Sequence, residues 1–175
     1  VMVDENELLV ITMPVFSGRI PKICPQIIDR FKGNNTPAIA IVVYGNREYE
    51  DSLLELSDLL KENNFNVIGA AAFVARHSIF TNVASDRPDE NDINVIKQFG
   101  KDCLNKLENK MLTLDSEISG DRPYREVGPS NMKPVGDEKC IRCNRCVNIC
   151  PVQAISKEEQ TKTDSEKCIN CTACI

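Results

Sequence analysis

Seven of the nine cysteines lie at or beyond residue 140, and their spacing is where this chain carries chemistry. Cys140, Cys143, Cys146 and Cys150, with Pro151 after them, read C-x2-C-x2-C-x3-C-P. Thiolates separated by two residues let a short loop wrap three corners of an inorganic cube, while the fourth cysteine, turned away by the proline, reaches elsewhere. Zinc sites favour two separated pairs around a tetrahedral ion instead. An odd cysteine total with triplet spacing also argues against a disulfide framework.

A second copy of the run follows at a 28-residue offset: Glu138-Lys139-Cys140-Ile141-x-Cys143-x-x-Cys146 is echoed by Glu166-Lys167-Cys168-Ile169-x-Cys171-x-x-Cys174. The same offset would put another cysteine three residues beyond Ile175, so the sequence is expected to be cut in mid-motif. This is the run of bacterial two-cluster ferredoxins, in which the fourth cysteine of each run ligates the cluster held by the other. Cys168, Cys171 and Cys174 would then close their cube with Cys150. Cys140, Cys143 and Cys146 would wait for the missing partner. The expectation is one robust [4Fe-4S] cluster and one that is incomplete, labile or three-iron. The competing readings, a zinc knuckle or a disulfide-stapled domain, both predict a colourless protein.

The elements that must position these residues read as two domains. With 42% apolar and 27% charged residues the chain has material for a packed core, and no apolar run approaches membrane-helix length. The net charge of −5, with no basic block, is wrong for a nucleic-acid phosphate binder. Clustered reduced thiols make the cytoplasm the default compartment, and redox proteins rather than nucleic acid or membrane the expected partners.

Residues 1–111 alternate strand and helix patterns, which predicts an α/β domain with a parallel sheet. Leu8–Met13, ended by Pro14, reads as a strand buried on both sides. Ile20, Cys24, Ile27 and Phe31 follow at helical spacing, with Pro25 disturbing the first turn and Gly33 closing the helix. Ala38–Val43 forms a second strand, Leu53, Leu56 and Leu60 mark a second helix stopped at Asn63-Asn64, and Phe65–Ala75 gives a third strand. Ile93, Ile96, Cys103 and Leu107 give the last helix one apolar face. Residues 112–136, punctuated by Gly120, Gly128, Gly136, Pro123, Pro129 and Pro134, read as a linker or an extended arm. Residues 137–175 form the small α+β iron–sulfur module.

Beyond the cysteine runs, Met13-Pro-Val-Phe-Ser-Gly-Arg-Ile-Pro21 and Val43-Tyr-Gly-Asn-Arg-Glu-Tyr-Glu-Asp51 make the chain resemble proteins of anaerobic microbes that fuse a flavodoxin-like domain to a C-terminal two-cluster ferredoxin. The resemblance implies a partial flavodoxin-like parallel sheet with three strands retained, corresponding to the third, fourth and fifth of the flavodoxin order. It implies an FMN site in the intact protein, with Phe16, Ser17, Gly18 and Arg19 on one side of the ring and Tyr44, Gly45, Asn46, Arg47 and Tyr49 on the other. Gly18 and Gly45 would admit the ring closely, and Tyr44 or Phe16 would stack on it. The Ser/Thr/Gly-rich phosphate turn of flavodoxins does not occur in this sequence, so the N-terminus is expected to be truncated as well. The strand at Leu8–Met13 would then be an apolar edge lacking its neighbour.

Cys24 and Cys103 sit on apolar helix stripes and read as core. His77 is the only histidine, and no nucleophile–base pair stands beside it. No G-x-G-x-x-G or P-loop occurs. The function expected is one-electron transfer through [4Fe-4S] clusters, coupled in the intact protein to FMN. The alternative class is a flavin-dependent iron–sulfur oxidoreductase acting on a small acceptor, with Tyr44, Tyr49 or His77 as proton donors; a zinc-stabilised interaction module is the third.

Overall fold

A computed structural model describes residues 1–128 and 132–175, and divides the chain into two compact units, Val1–Glu126 and Val127–Ile175. Pro129, one of the residues that punctuate the 112–136 stretch, lies outside the described residues. Among the described residues no helix is long and apolar enough to cross a membrane.

The first unit is α/β. Three strands, β1 (Leu9–Pro14), β2 (Thr36–Tyr44) and β3 (Phe65–Val74), form a parallel sheet in the order β1-β2-β3. The helices α1 (Cys24–Ile28), α2 (Ser52–Glu62) and α3 (Glu90–Glu108) alternate with or follow them. Because side chains alternate across a strand, β2 sends Ala38, Ala40 and Val42 to one face and Ile39 and Ile41 to the other. On the first face they pack with Leu53, Leu56 and Leu60 of α2 and with Ile20, Cys24 and Ile28. On the second face Ile39 and Ile68 meet Cys103, Phe99 and Leu107 of α3. Small residues on β2 let the α2 leucines approach the sheet closely.

Two expectations about this unit need correction. β1 is not buried on both sides: Leu9, Ile11 and Met13 join the core, but Val10 is 53% exposed, and Thr12 and Pro14 also face outward. β1 is an edge strand, and α3 covers β3 and β2 without reaching it. The buried stripe of α1 runs through Ile28, which is fully buried, rather than Ile27, which is exposed. Pro25 leaves α1 only five residues long, starting at Cys24, so the spacing that links Ile20 to Cys24 does not continue as one regular helix to Phe31.

Residues 117–126 lie along α2. Asp51 and Asp58, one turn-pair apart on that helix and its N-terminus, take most of the arm's polar groups. Asp51 accepts from the backbone N–H of Asp121 (2.8 Å) and of Arg125 (2.7 Å). Asp58 accepts from the Arg122 guanidinium (2.7 and 2.6 Å) and the Tyr124 hydroxyl (2.6 Å).

The second unit is built around the cysteines. Among its described residues the helix is α4 (Arg145–Ile149), which is short, and the buried apolar residues are Ala154 and Ile155. Two backbone and side-chain links hold its start: Gly136 N–H donates to Thr161 O (2.9 Å) and Thr163 Oγ1 to Pro134 O (2.5 Å).

Candidate metal centre

Each cysteine run begins with an aspartate-capped turn. Asp137 O accepts from Cys140 N–H (3.1 Å) and its carboxylate from Lys139 N–H (3.0 Å). Asp164 does the same for Cys168 (3.0 Å) and for Lys167 (3.3 Å). An Asp side chain held this way fixes the chain direction into the loop that follows.

The loops then take the same path. Arg142 and Asn144 have φ of 54° and 61°, and their counterparts 28 residues on, Asn170 and Thr172, have 55° and 60°. None of these is glycine, and left-handed backbone is uncommon for Arg and unfavourable for β-branched Thr. Two such residues in each C-x2-C-x2-C stretch bend it into a tight bowl. Strain of this kind concentrates at ligand clamps.

After the first bowl, α4 carries Cys146 and ends at Cys150, whose backbone is extended (φ −69°, ψ 112°). Pro151 is the cause, since a proline excludes its predecessor from helical conformation. Cys150 thus leaves the path of its own run. The burial of Cys174 raises its thiol pKa above the ordinary value, and Cys171, Cys150 and Cys168 lie close enough to add electrostatically to that rise. Cys150 Sγ also accepts the Ala154 N–H at 3.2 Å. Cys174 thus lies within electrostatic range of Cys150, from the other run, as well as of Cys168 and Cys171.

All nine cysteines are free. Cys140 and Cys146 are partly buried and Cys143 is exposed. Among the described residues no three His, Cys, Asp or Glu side chains are gathered tightly enough for a single metal ion; a cube spaces its ligands by its own width. Cys24 and Cys103 lie in the sheet unit as buried apolar groups, and burial pushes the Cys24 thiol up to about 11.

Residues 139–175 match the 4Fe-4S dicluster domain. The match covers the seven cysteines of both runs and leaves the sheet unit untouched. No solved structure matches the chain.

The two loops assigned to a flavin by resemblance sit together at the carboxyl end of the sheet. Phe16 and Arg19 close a tight turn by paired backbone bonds (2.8 and 3.2 Å), with Gly18 at φ 81°. Asp51 N–H donates to Gly18 O at 3.1 Å, joining this turn to the loop after β2. Ser17 and Asn46 are exposed, and Tyr44 and Tyr49 meet edge to face at 5.6 Å. Several of the groups that were to face a ring have partners within the chain. The space a Cβ would take at Gly18 is filled by the Glu50 carboxylate, and that at Gly45 by the His77 ring, 2.6 Å away. Arg19 forms a bidentate pair with Glu55 (2.7 and 2.6 Å), donates to Arg125 O (2.7 Å) and lies over the Tyr124 ring. Arg47 pairs with Glu50 (2.6 Å). His77 Nδ1 accepts the backbone N–H groups of Ile79 and Phe80, both at 3.1 Å.

Sequence reasoning missed the contributions of Asp51, Glu55 and Asp58, because their partners are distant in sequence and no local period marks them. It also missed Lys133, which lies ahead of both cysteine runs and whose ammonium contacts the second of them.

Proposed function

We propose that the chain carries single electrons through a [4Fe-4S] cluster held by Cys150, Cys168, Cys171 and Cys174, with Cys140, Cys143 and Cys146 serving a second centre. The observation that carries this reading is the extended backbone of Cys150, which leaves its own run ahead of Pro151, with Cys174 in electrostatic range of it. Its support is the repeated bowl of the two loops and the 4Fe-4S dicluster match.

When bound, such a cluster supplies a one-electron couple whose chemistry is the cofactor's own. The chain's residues do the rest. The four thiolates would hold the iron, the Ala154 N–H would offset charge on Cys150 Sγ, and the buried Ala154 and Ile155 would limit water beside that ligand. Partners of this reading are other redox proteins.

The flavin-linked part of the reading is a proposal of its own. It is supported by the parallel order of the strands and by loops meeting at their carboxyl ends, where such sheets bind ligands. The residues present do not themselves fit FMN: Glu50 and His77 occupy the approaches to the two glycines, and Arg19 is committed to Glu55.

The test is anaerobic reconstitution of the full chain with ferrous iron and sulfide. The expected product is brown and contains iron and sulfide in near equality. Cys150→Ala removes the cluster, whereas Cys143→Ala leaves it in place. Zinc uptake without sulfide, or equal loss from both variants, defeats the assignment.

A further inference from the structure

Lys133 lies six residues before the segment that matches the dicluster domain, yet its ammonium is placed on the second cysteine loop. Lys133 Nζ donates to Cys168 O at 3.1 Å and to Asn170 Oδ1 at 3.4 Å. That same Asn170 oxygen is 3.6 Å from Cys168 Sγ, so one amide atom separates the charge from a ligand sulfur. Both partners of Lys133 among the described residues are neutral oxygens, leaving its charge uncancelled by a carboxylate. The neighbouring cation Lys167 is instead paired with Asp164, at 3.4 Å.

The position is built rather than incidental. Pro134 O is held by Thr163, and Gly136 lies so close to Thr161 that an added Cβ would stand 3.0 Å from its backbone. These contacts fix the strand of chain that presents Lys133, and the side chain is partly buried. Asn170 is one of the left-handed residues of the bowl, so the bond to its side chain also secures that conformation. In the first loop a neutral group grips a different left-handed residue, the counterpart of Thr172: Gln160 Nε2 donates to Asn144 Oδ1 at 2.6 Å.

We propose that Lys133 is a positioning and tuning residue for the cluster held by Cys150, Cys168, Cys171 and Cys174, raising its reduction potential by placing a fixed positive charge beside Cys168. This rests on the iron–sulfur reading above. Reduction adds one negative charge to the cluster, and a nearby cation stabilises the reduced state more than the oxidised one. A charge about 10 Å from the added electron, at an effective dielectric of about 20, favours reduction by roughly tenfold. For one electron that is about 59 mV.

The test is an EPR-monitored potentiometric titration of the reconstituted full chain, with iron and sulfide assayed on each sample. Lys133→Gln is expected to keep its iron and sulfide and to shift the reduced fraction at a fixed potential about tenfold toward the oxidised form. Lys133→Arg should titrate like the unaltered chain, and Lys133→Glu should shift further than Lys133→Gln. If Lys133→Gln loads poorly, acetyl-lysine at position 133 removes the charge while keeping the stem, and the same shift is expected. A Lys133→Gln or acetyl-lysine protein with unchanged potential overturns the proposal, as does an equal shift in Lys133→Arg. Failure of the unaltered chain to take up iron and sulfide would instead defeat the underlying reading.

Discussion

Glu55 shows how much of the sheet unit depends on single polar side chains. It is 7% exposed, and its carboxylate receives both nitrogens of the Arg19 fork and the Ile20 N–H at 3.2 Å. One residue of α2 thereby fixes the turn after β1. Removing a partner from such a site leaves the other charge unmatched, and because Arg19 keeps some solvent contact the cost is screened. Glu55→Gln is expected to lose about 1–2 kcal/mol. The three tyrosines all lie in the sheet unit and the chain has no tryptophan, so urea unfolding followed by tyrosine emission reads this unit by itself. A midpoint unchanged from the parent would show that the pair contributes nothing. The dicluster motif was legible at this scale because cysteine spacing is a local property of sequence. Glu55 was not, since its partner is 36 positions away.

At the scale of elements, the contact between the 117–126 arm and α2 is sensitive to pH at both extremes. Burial alone would raise the Asp58 pKa, but the bonds from Arg122 and Tyr124 outweigh it and leave the carboxyl below its ordinary range. Its stabilisation is complete above the ordinary carboxylate range and is lost as pH falls through the lowered value. Tyr124 is pushed up to about 12, by burial first and then by its bond to Asp58. Its neutral hydroxyl therefore contributes up to the ordinary tyrosine range and fails as pH rises through about 12. Hydrogen exchange of residues 117–126, corrected for intrinsic rates, should show protection across neutral pH and loss in acid while β2 stays protected; Asp58→Asn should lose it at every pH. Retention in acid would sink this account. The sequence shows strands, helices and their order plainly, because apolar periodicity reports them. It leaves the arm open between linker and packed segment, because Gly and Pro mark irregular backbone without saying what that backbone touches.

Across the whole molecule, the exposed outer edge of the sheet stands out. β1 pairs on one side only with β2, and Val10 on its bare face is 53% exposed. Unpaired backbone beside an apolar side chain is a template for association. Val10→Lys is expected to reduce concentration-dependent light scattering while changing stability by less than about 0.5 kcal/mol. Scattering equal to that of the parent would place the sticky surface elsewhere. The expectation of a fully buried strand failed for a related reason: an apolar run specifies what a strand is suited to, and only the neighbours present decide how much of it is covered.

The matched handedness of Arg142 with Asn170 and of Asn144 with Thr172 shows that two stretches of different sequence meet one backbone requirement. Neither copy uses glycine for it, so each duplicate carries the same conformational burden in its own residues.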